Sequence, residues 1–173
     1  MNRRELETLM LTLESTPALL ARAAAALSPA QTRRSPKNGG FSFVEHVWHL
    51  ADLEREGYGV RIRRLLNEET PMLSNFDGDR VARERAYGQR DLFEGLTAFA
   101  RARHANVVIL REASADDWKR DGEQEAVGRV ALSDVPRMMT EHDRAHTTEI
   151  AYLLSELSGE TAPAISQPAS AVA

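Results

Sequence analysis

Four of the five histidines fall in two short clusters, His46 and His49 in FVEHVWHLADLE and His142 and His146 in EHDRAHTTEI. Imidazoles four residues apart on a helix point the same way, one turn above the other, so two ring nitrogens can reach one metal ion without distorting the backbone. A third imidazole from another helix would complete a three-nitrogen site with a coordination position left open, the arrangement of catalytic rather than structural zinc. Such an ion can lower the pKa of a bound water to roughly 7, or bind and ionise a small-molecule thiol. The donor set suits zinc or nickel first, then iron or manganese, and also copper. Spacing alone does not choose between His46 and His49 as the third ligand. The competing readings are hydrogen-bonded core histidines on the last helix and a solvated polar face on the earlier one.

Other residues are candidates around such a centre. Asp52 and Glu149 each stand three residues from a candidate ligand and could orient an imidazole or serve as a base; for Asp52 the alternative is an ordinary ion pair. Arg103 interrupts an apolar stripe and could hold an anionic group of a substrate, against the alternative of a buried arginine paired with an acid. His104 reads as an edge residue, and Trp48 and Trp118 read as packing residues.

Composition narrows the function classes. The 173 residues contain no cysteine, which excludes disulfides, thiolate metal sites and an internal thiol nucleophile. A formal net charge of −4 argues against nucleic-acid binding, and RIRR at 61–64 reads as a solvated helix face. No run approaches the length of a membrane span, and MNRRELETLM reads as an amphipathic helix rather than a secretion signal, so a cytoplasmic protein without membrane partners is expected.

The elements that must position these residues follow from periodicity. Leu6, Leu9, Met10, Leu13, Leu20, Ala24 and Leu27 keep helical spacing, with a bend or break expected near Ser15-Thr16-Pro17. SPAQTRRSPKNGG is loop chemistry. Ser42 with Glu45 forms a capping box that opens a second helix reaching about Asn67, its main stripe being Val44, Val47, Ala51, Tyr58, Ile62 and Leu65. ETPMLSNFDGD is a loop. Asp91 caps a third helix with the stripe Leu92, Phe93, Leu96, Phe99, Ala100, Val107 and Leu110. Ser114–Trp118 is a short helical turn, and DGEQEAVGRVAL contains a brief extended piece. Ser133 is expected to cap the fourth helix, whose stripe of Val135, Met138, Met139, Ala145, Ile150, Leu153 and Leu157 also carries His142, His146 and Glu149. The expectation is one all-α domain over 1–158, an up-down-type four-helix bundle with short extra turns, followed by a disordered tail over 159–173 rich in Ala, Ser and Pro.

The chain resembles the DinB-like family of metal-binding four-helix bundles. The resemblance rests on FSFVEHVWHLADLE, RIRRLLNEETPML, Tyr87 before QRDLFEGLTAFARAR, DDWKRDGEQEAVGRVAL and HDRAH. It implies that the metal ligands are His49, just before Leu-Ala-Asp, with His142 and His146, leaving His46 as a residue lining the pocket or backing the ligands. Phe41 stands where relatives often carry Trp. The resemblance implies first a transferase that uses an external thiol such as bacillithiol or mycothiol, then a metal-dependent hydrolase with Glu149 or Asp52 as base. A third reading is a non-enzymatic, metal-stabilised bundle. In each case a homodimer is expected, and the enzymatic readings imply a small-molecule substrate.

Overall fold

The computed structural model describes residues 3–158, so the tail expected over 159–173 lies outside the described residues. Four long helical segments form the bundle. They are α1 (Arg3–Ala25); a continuous rod made of α3 (Phe43–Asp52), a π-helical turn over Leu53–Tyr58 and α4 (Gly59–Asn67); α6 (Leu92–Glu112); and α7 (Val135–Ser158). A four-helix bundle with short additional turns is therefore the fold, as expected.

Side-chain pairings give the direction of each helix. Arg103 donates to the Leu13 carbonyl while Arg111 reaches back to Glu7, so α1 and α6 are antiparallel. Trp48 donates to the Asp91 carbonyl and Asn106 to that of Glu54, so the α3–α4 rod and α6 run parallel. His49 faces His142, and the Tyr58 hydroxyl donates to Met138, so the rod and α7 are antiparallel. Parallel neighbours need a connection that returns along the bundle. Residues 68–91 supply it, carrying β1 (Met72–Leu73), α5 (Gly78–Glu84) and a 3-10 turn at Tyr87–Gln89.

Several local expectations change. Pro17 does not break α1, which runs through it. The 28–40 segment contains the short α2 (Pro29–Thr32), capped by Ser28. The extended piece is a hairpin of β2 (Asp121–Gln124) and β3 (Gly128–Ala131), and β1 from the expected 69–79 loop joins β2 in parallel through Met72 opposite Glu123. Ser133 does not cap α7: it lies inside a 3-10 turn, Leu132–Asp134, in which the Asp134 carboxylate accepts the Ala131 N–H at 2.9 Å. Phe93 and Ala145, assigned to core stripes, are exposed.

Other signals hold. Glu45 accepts the Ser42 N–H at 2.8 Å and its hydroxyl at 2.6 Å, closing the start of α3. Asp91 accepts the Glu94 N–H at 2.9 Å at the start of α6. The α3 segment is buried on nearly all sides, from Phe43 to Glu54 except Glu45, because it lies between α6 and α7 under the 68–91 crossover. An inner helix of this kind can turn polar residues inward on a face separate from its apolar stripe.

Candidate metal centre

His49 projects from α3, and His142 and His146 project from consecutive turns of α7, toward one point. The His142 Nε2 atom lies 3.3 Å from Nε2 of His49 and 3.1 Å from Nε2 of His146. Ligand nitrogens arranged tetrahedrally around an ion at ~2.0–2.1 Å stand about 3.3 Å apart, so the spacing fits a shared ion. Hydrogen bonding does not account for it as well, since one imidazole nitrogen has a single in-plane proton or lone pair and here meets two partners of its own kind.

The charge state agrees with the geometry. Burial, then the neighbouring imidazoles, pushes His49 down to about 3, and burial does the same for His142, also to about 3. Burial likewise lowers His146, opposed by Glu149. All three are therefore neutral across the physiological range, the form in which imidazole binds a metal. The residues present fit a divalent ion.

Around this triad stands a supporting set. His146 presents its other nitrogen, Nδ1, to Nδ1 of His46 at 3.0 Å and to a carboxylate oxygen of Glu149 at 3.2 Å. These are the partners that fix the orientation of a ligating ring. His46 is buried and held near pKa 3, chiefly by that burial. Glu149 is open to solvent at 60% of its side chain, so it sits on the rim of the cluster. Phe41 meets His46 edge-on at 5.6 Å between ring centres and lies 5.5 Å from the His49 ring centre, an apolar contact beside both imidazoles. On the other side, the Gly78 backbone lies directly over the His49 ring, where an added Cβ would be 2.3 Å from Cε1.

The remaining candidates lie elsewhere. Asp52 is fully buried and accepts from the Tyr87 hydroxyl at 2.6 Å, Arg85 at 2.5 Å and Arg55 at 2.8 Å. It makes no hydrogen bond to an imidazole, and its place is that of a structural ion pair under the crossover rather than of a base. Arg103, 1% exposed, grips both carboxylate oxygens of Asp143 at 2.7 and 2.8 Å and also donates to Glu54 at 2.8 Å. That is the buried paired arginine, not an anion-binding group; Thr16 adds a hydrogen bond to the same Asp143 carboxylate. His104 is exposed, and Trp48 is buried with its indole N–H bonded to Asp91.

Sequence reasoning missed Arg61. Read as part of a solvated RIRR face, it is instead 8% exposed, with its guanidinium carbon 5.5 Å from the centre of the Tyr58 ring. The signal that could have found it is its spacing, three residues after Tyr58 and four before Leu65, which puts it on the edge of the buried stripe.

Comparisons with known proteins bear on this geometry. The family model of the DinB superfamily matches residues 12–150. A candidate metal-dependent hydrolase of Bacillus licheniformis is 40% identical over 76 residues, which are 44% of this chain and 43% of that protein. The match thus spans less than half of the length of this curated relative. Among solved structures, YfiT from Bacillus subtilis, described as a candidate metal-dependent hydrolase with an unusual four-helix bundle topology, aligns with a TM-score of 0.83 at 22% identity, covering 93% of this chain and 91% of YfiT. A mycothiol-dependent maleylpyruvate isomerase aligns with a TM-score of 0.68 at 15% identity, covering 84% of this chain and 60% of that one. At these identities the structural likeness speaks for the fold. Among the described residues no helix is long and apolar enough to cross a membrane.

Proposed function

The chain belongs to the DinB superfamily, and from that membership and its convergent imidazoles we propose that it is a metal-dependent hydrolase of a small-molecule substrate, with His49, His142 and His146 holding the ion. The observation that carries this reading is the contact of His142 Nε2 with Nε2 of both His49 and His146, at 3.3 and 3.1 Å. A divalent ion bound by three imidazoles supplies Lewis acidity toward water or a carbonyl oxygen.

The protein's own residues do the rest. His46 and Glu149 hold the His146 ring from its Nδ1 side, fixing which nitrogen faces inward. Glu149, the exposed carboxylate of the cluster, stands on the Nδ1 side of His146 and is the group that carries a proton between that ring and solvent. Asp52 is not assigned that task, since two guanidinium groups and a phenol already occupy it. Phe41 and Phe76 flank His49 and keep water from its outer face.

Hydrolysis takes precedence over thiol transfer because the B. licheniformis relative and YfiT both carry that description. Thiol-dependent transfer or isomerisation is the second reading. It is favoured by the fold shared with a mycothiol-dependent isomerase, and the chain has no cysteine of its own. Zinc or nickel is the ion expected in either case.

The deciding experiment is elemental analysis of chelator-washed, metal-reloaded protein beside a His142→Ala, His146→Ala variant, followed by ester and amide turnover with and without added thiol. Near-stoichiometric metal in the parent alone, with thiol-independent turnover, supports the hydrolase. Turnover only with thiol transfers support to the second reading, and metal without turnover points to a non-enzymatic bundle. Equal metal content in both proteins sinks the metal centre.

A further inference from the structure

The α3–α4 rod carries a buried cation that no group among the described residues neutralises. Arg61 is 8% exposed, yet its hydrogen bonding among the described residues is one contact, from Nη2 to the Ser74 carbonyl at 3.2 Å. Among the described residues its buried Nε has no acceptor and the guanidinium has no ion pair. The contrast is Arg103, which is more deeply buried and is matched by Asp143 and Glu54. A guanidinium stays charged in proteins, and burying one without an anion is costly. A core selected only for stability would not keep it.

Its position relates it to the histidines. The π turn over Leu53–Tyr58 inserts one residue into the rod, so the step from His49 to Arg61 behaves as about three α-helical turns and returns to the same face. Helix side chains lean toward the N-terminus, which aims the Arg61 head back toward His49. Its guanidinium carbon is 5.5 Å from the Tyr58 ring centre, and that ring is 6.2 Å from His142, so guanidinium and imidazole are at most about 12 Å apart. The chain after β1 runs along this same line: Ser74 caps Arg61, Phe76 approaches the His49 ring to 6.0 Å, and Gly78 lies on that ring.

We propose that Arg61 anchors a carboxylate of a small organic acid whose reacting end lies at the His49–His142–His146 cluster. The guanidinium fork matches a carboxylate in two-point geometry, and among the described residues its buried Nε has no acceptor. Tyr58, a neighbour of both Arg61 and His142, and Phe76, a neighbour of His49, suit a short hydrocarbon linker. The placing of the reacting end rests on the proposed function, whereas the anion site does not.

The test titrates succinate into metal-free and metal-loaded protein, for the parent, Arg61→Lys and Arg61→Met, by calorimetry and by the NMR resonance of the Arg61 Nε–H. The parent resonance should move on titration, and Arg61→Met should bind succinate at least tenfold more weakly, with Arg61→Lys between them. Arg61→Met should keep its full metal content and, without ligand, melt at the parent's temperature or above, because an unpaired buried charge has been removed. Equal binding by parent and Arg61→Met, an unmoved resonance, or an Arg61→Met variant that melts well below the parent would overturn the proposal. A parent that takes up no metal but still binds succinate through Arg61 would sink the metal centre and leave the anion site standing.

Discussion

The Nδ1 atoms of His46 and His146 stand 3.0 Å apart, which requires one ring to donate and the other to accept. If Nε2 of His146 faces an ion, its Nδ1 carries the proton and His46 is the acceptor. His46→Phe keeps the ring's bulk against Phe41 and removes the acceptor. Metal affinity measured by chelator competition should fall about 10- to 100-fold, the usual range for losing a partner behind a ligand. Unchanged affinity would mean that Glu149 alone orients His146.

The same cluster makes the metal-free protein sensitive to acid. His46, His49 and His142 are held near pKa 3 in the fold by burial first, against 6.5 for the free side chain, so the unfolded chain binds more protons between these values. Stability is therefore unaffected above about pH 7 and falls as pH drops from 6.5 toward 3, by up to about 1.4 kcal/mol per pH unit for each histidine. Thermal melts of chelator-treated protein across this window should show the fall, and His46→Phe should lessen its slope. A flat profile would contradict the burial of neutral imidazoles.

Gly78 is predicted to matter only when the centre is loaded. A Cβ there would lie 2.3 Å from Cε1 and 2.6 Å from Nδ1 of His49. Without metal the imidazole can turn aside, so Gly78→Ala should melt within a few degrees of the parent. A ligated ring cannot turn, and metal affinity should drop about tenfold or more, a displaced ligand being at least as serious as a lost supporting partner. A large loss of stability in the metal-free protein would instead make Gly78 a packing residue.

Arg103, on α6, ties its own helix to the other three bundle segments, through Asp143 on α7, the Leu13 carbonyl on α1 and Glu54 in the π turn of the rod. Arg103→Met strands two buried carboxylates and should cost about 3–5 kcal/mol. For a domain of this size that lowers the melting temperature by roughly 10 °C. Because Asp143 follows His142 directly, metal affinity should weaken too. A variant as stable as the parent would show that the network relaxes without its arginine.

The sequence by itself determined what is local. Helix spacing placed His142 and His146 on one face, the Ser42–Glu45 box and the Asp91 cap marked two helix starts, and the apolar periodicity specified four long helices. Each of these depends on residues within a turn or two of one another. The tertiary structure alone decided the rest. Whether His46 or His49 completes the triad depends on how α3 is rotated against α7, and Asp52 loses its place as a base to Arg85 and Tyr87, partners more than thirty residues away. The pairing of β1 with β2 joins residues some fifty apart. Arg61 is the clearest case: it lies three residues after Tyr58 and four before Leu65, on the edge of the buried stripe, and only the packing of Tyr58 and the Ser74 carbonyl around it decides that its guanidinium lies inside rather than in solvent.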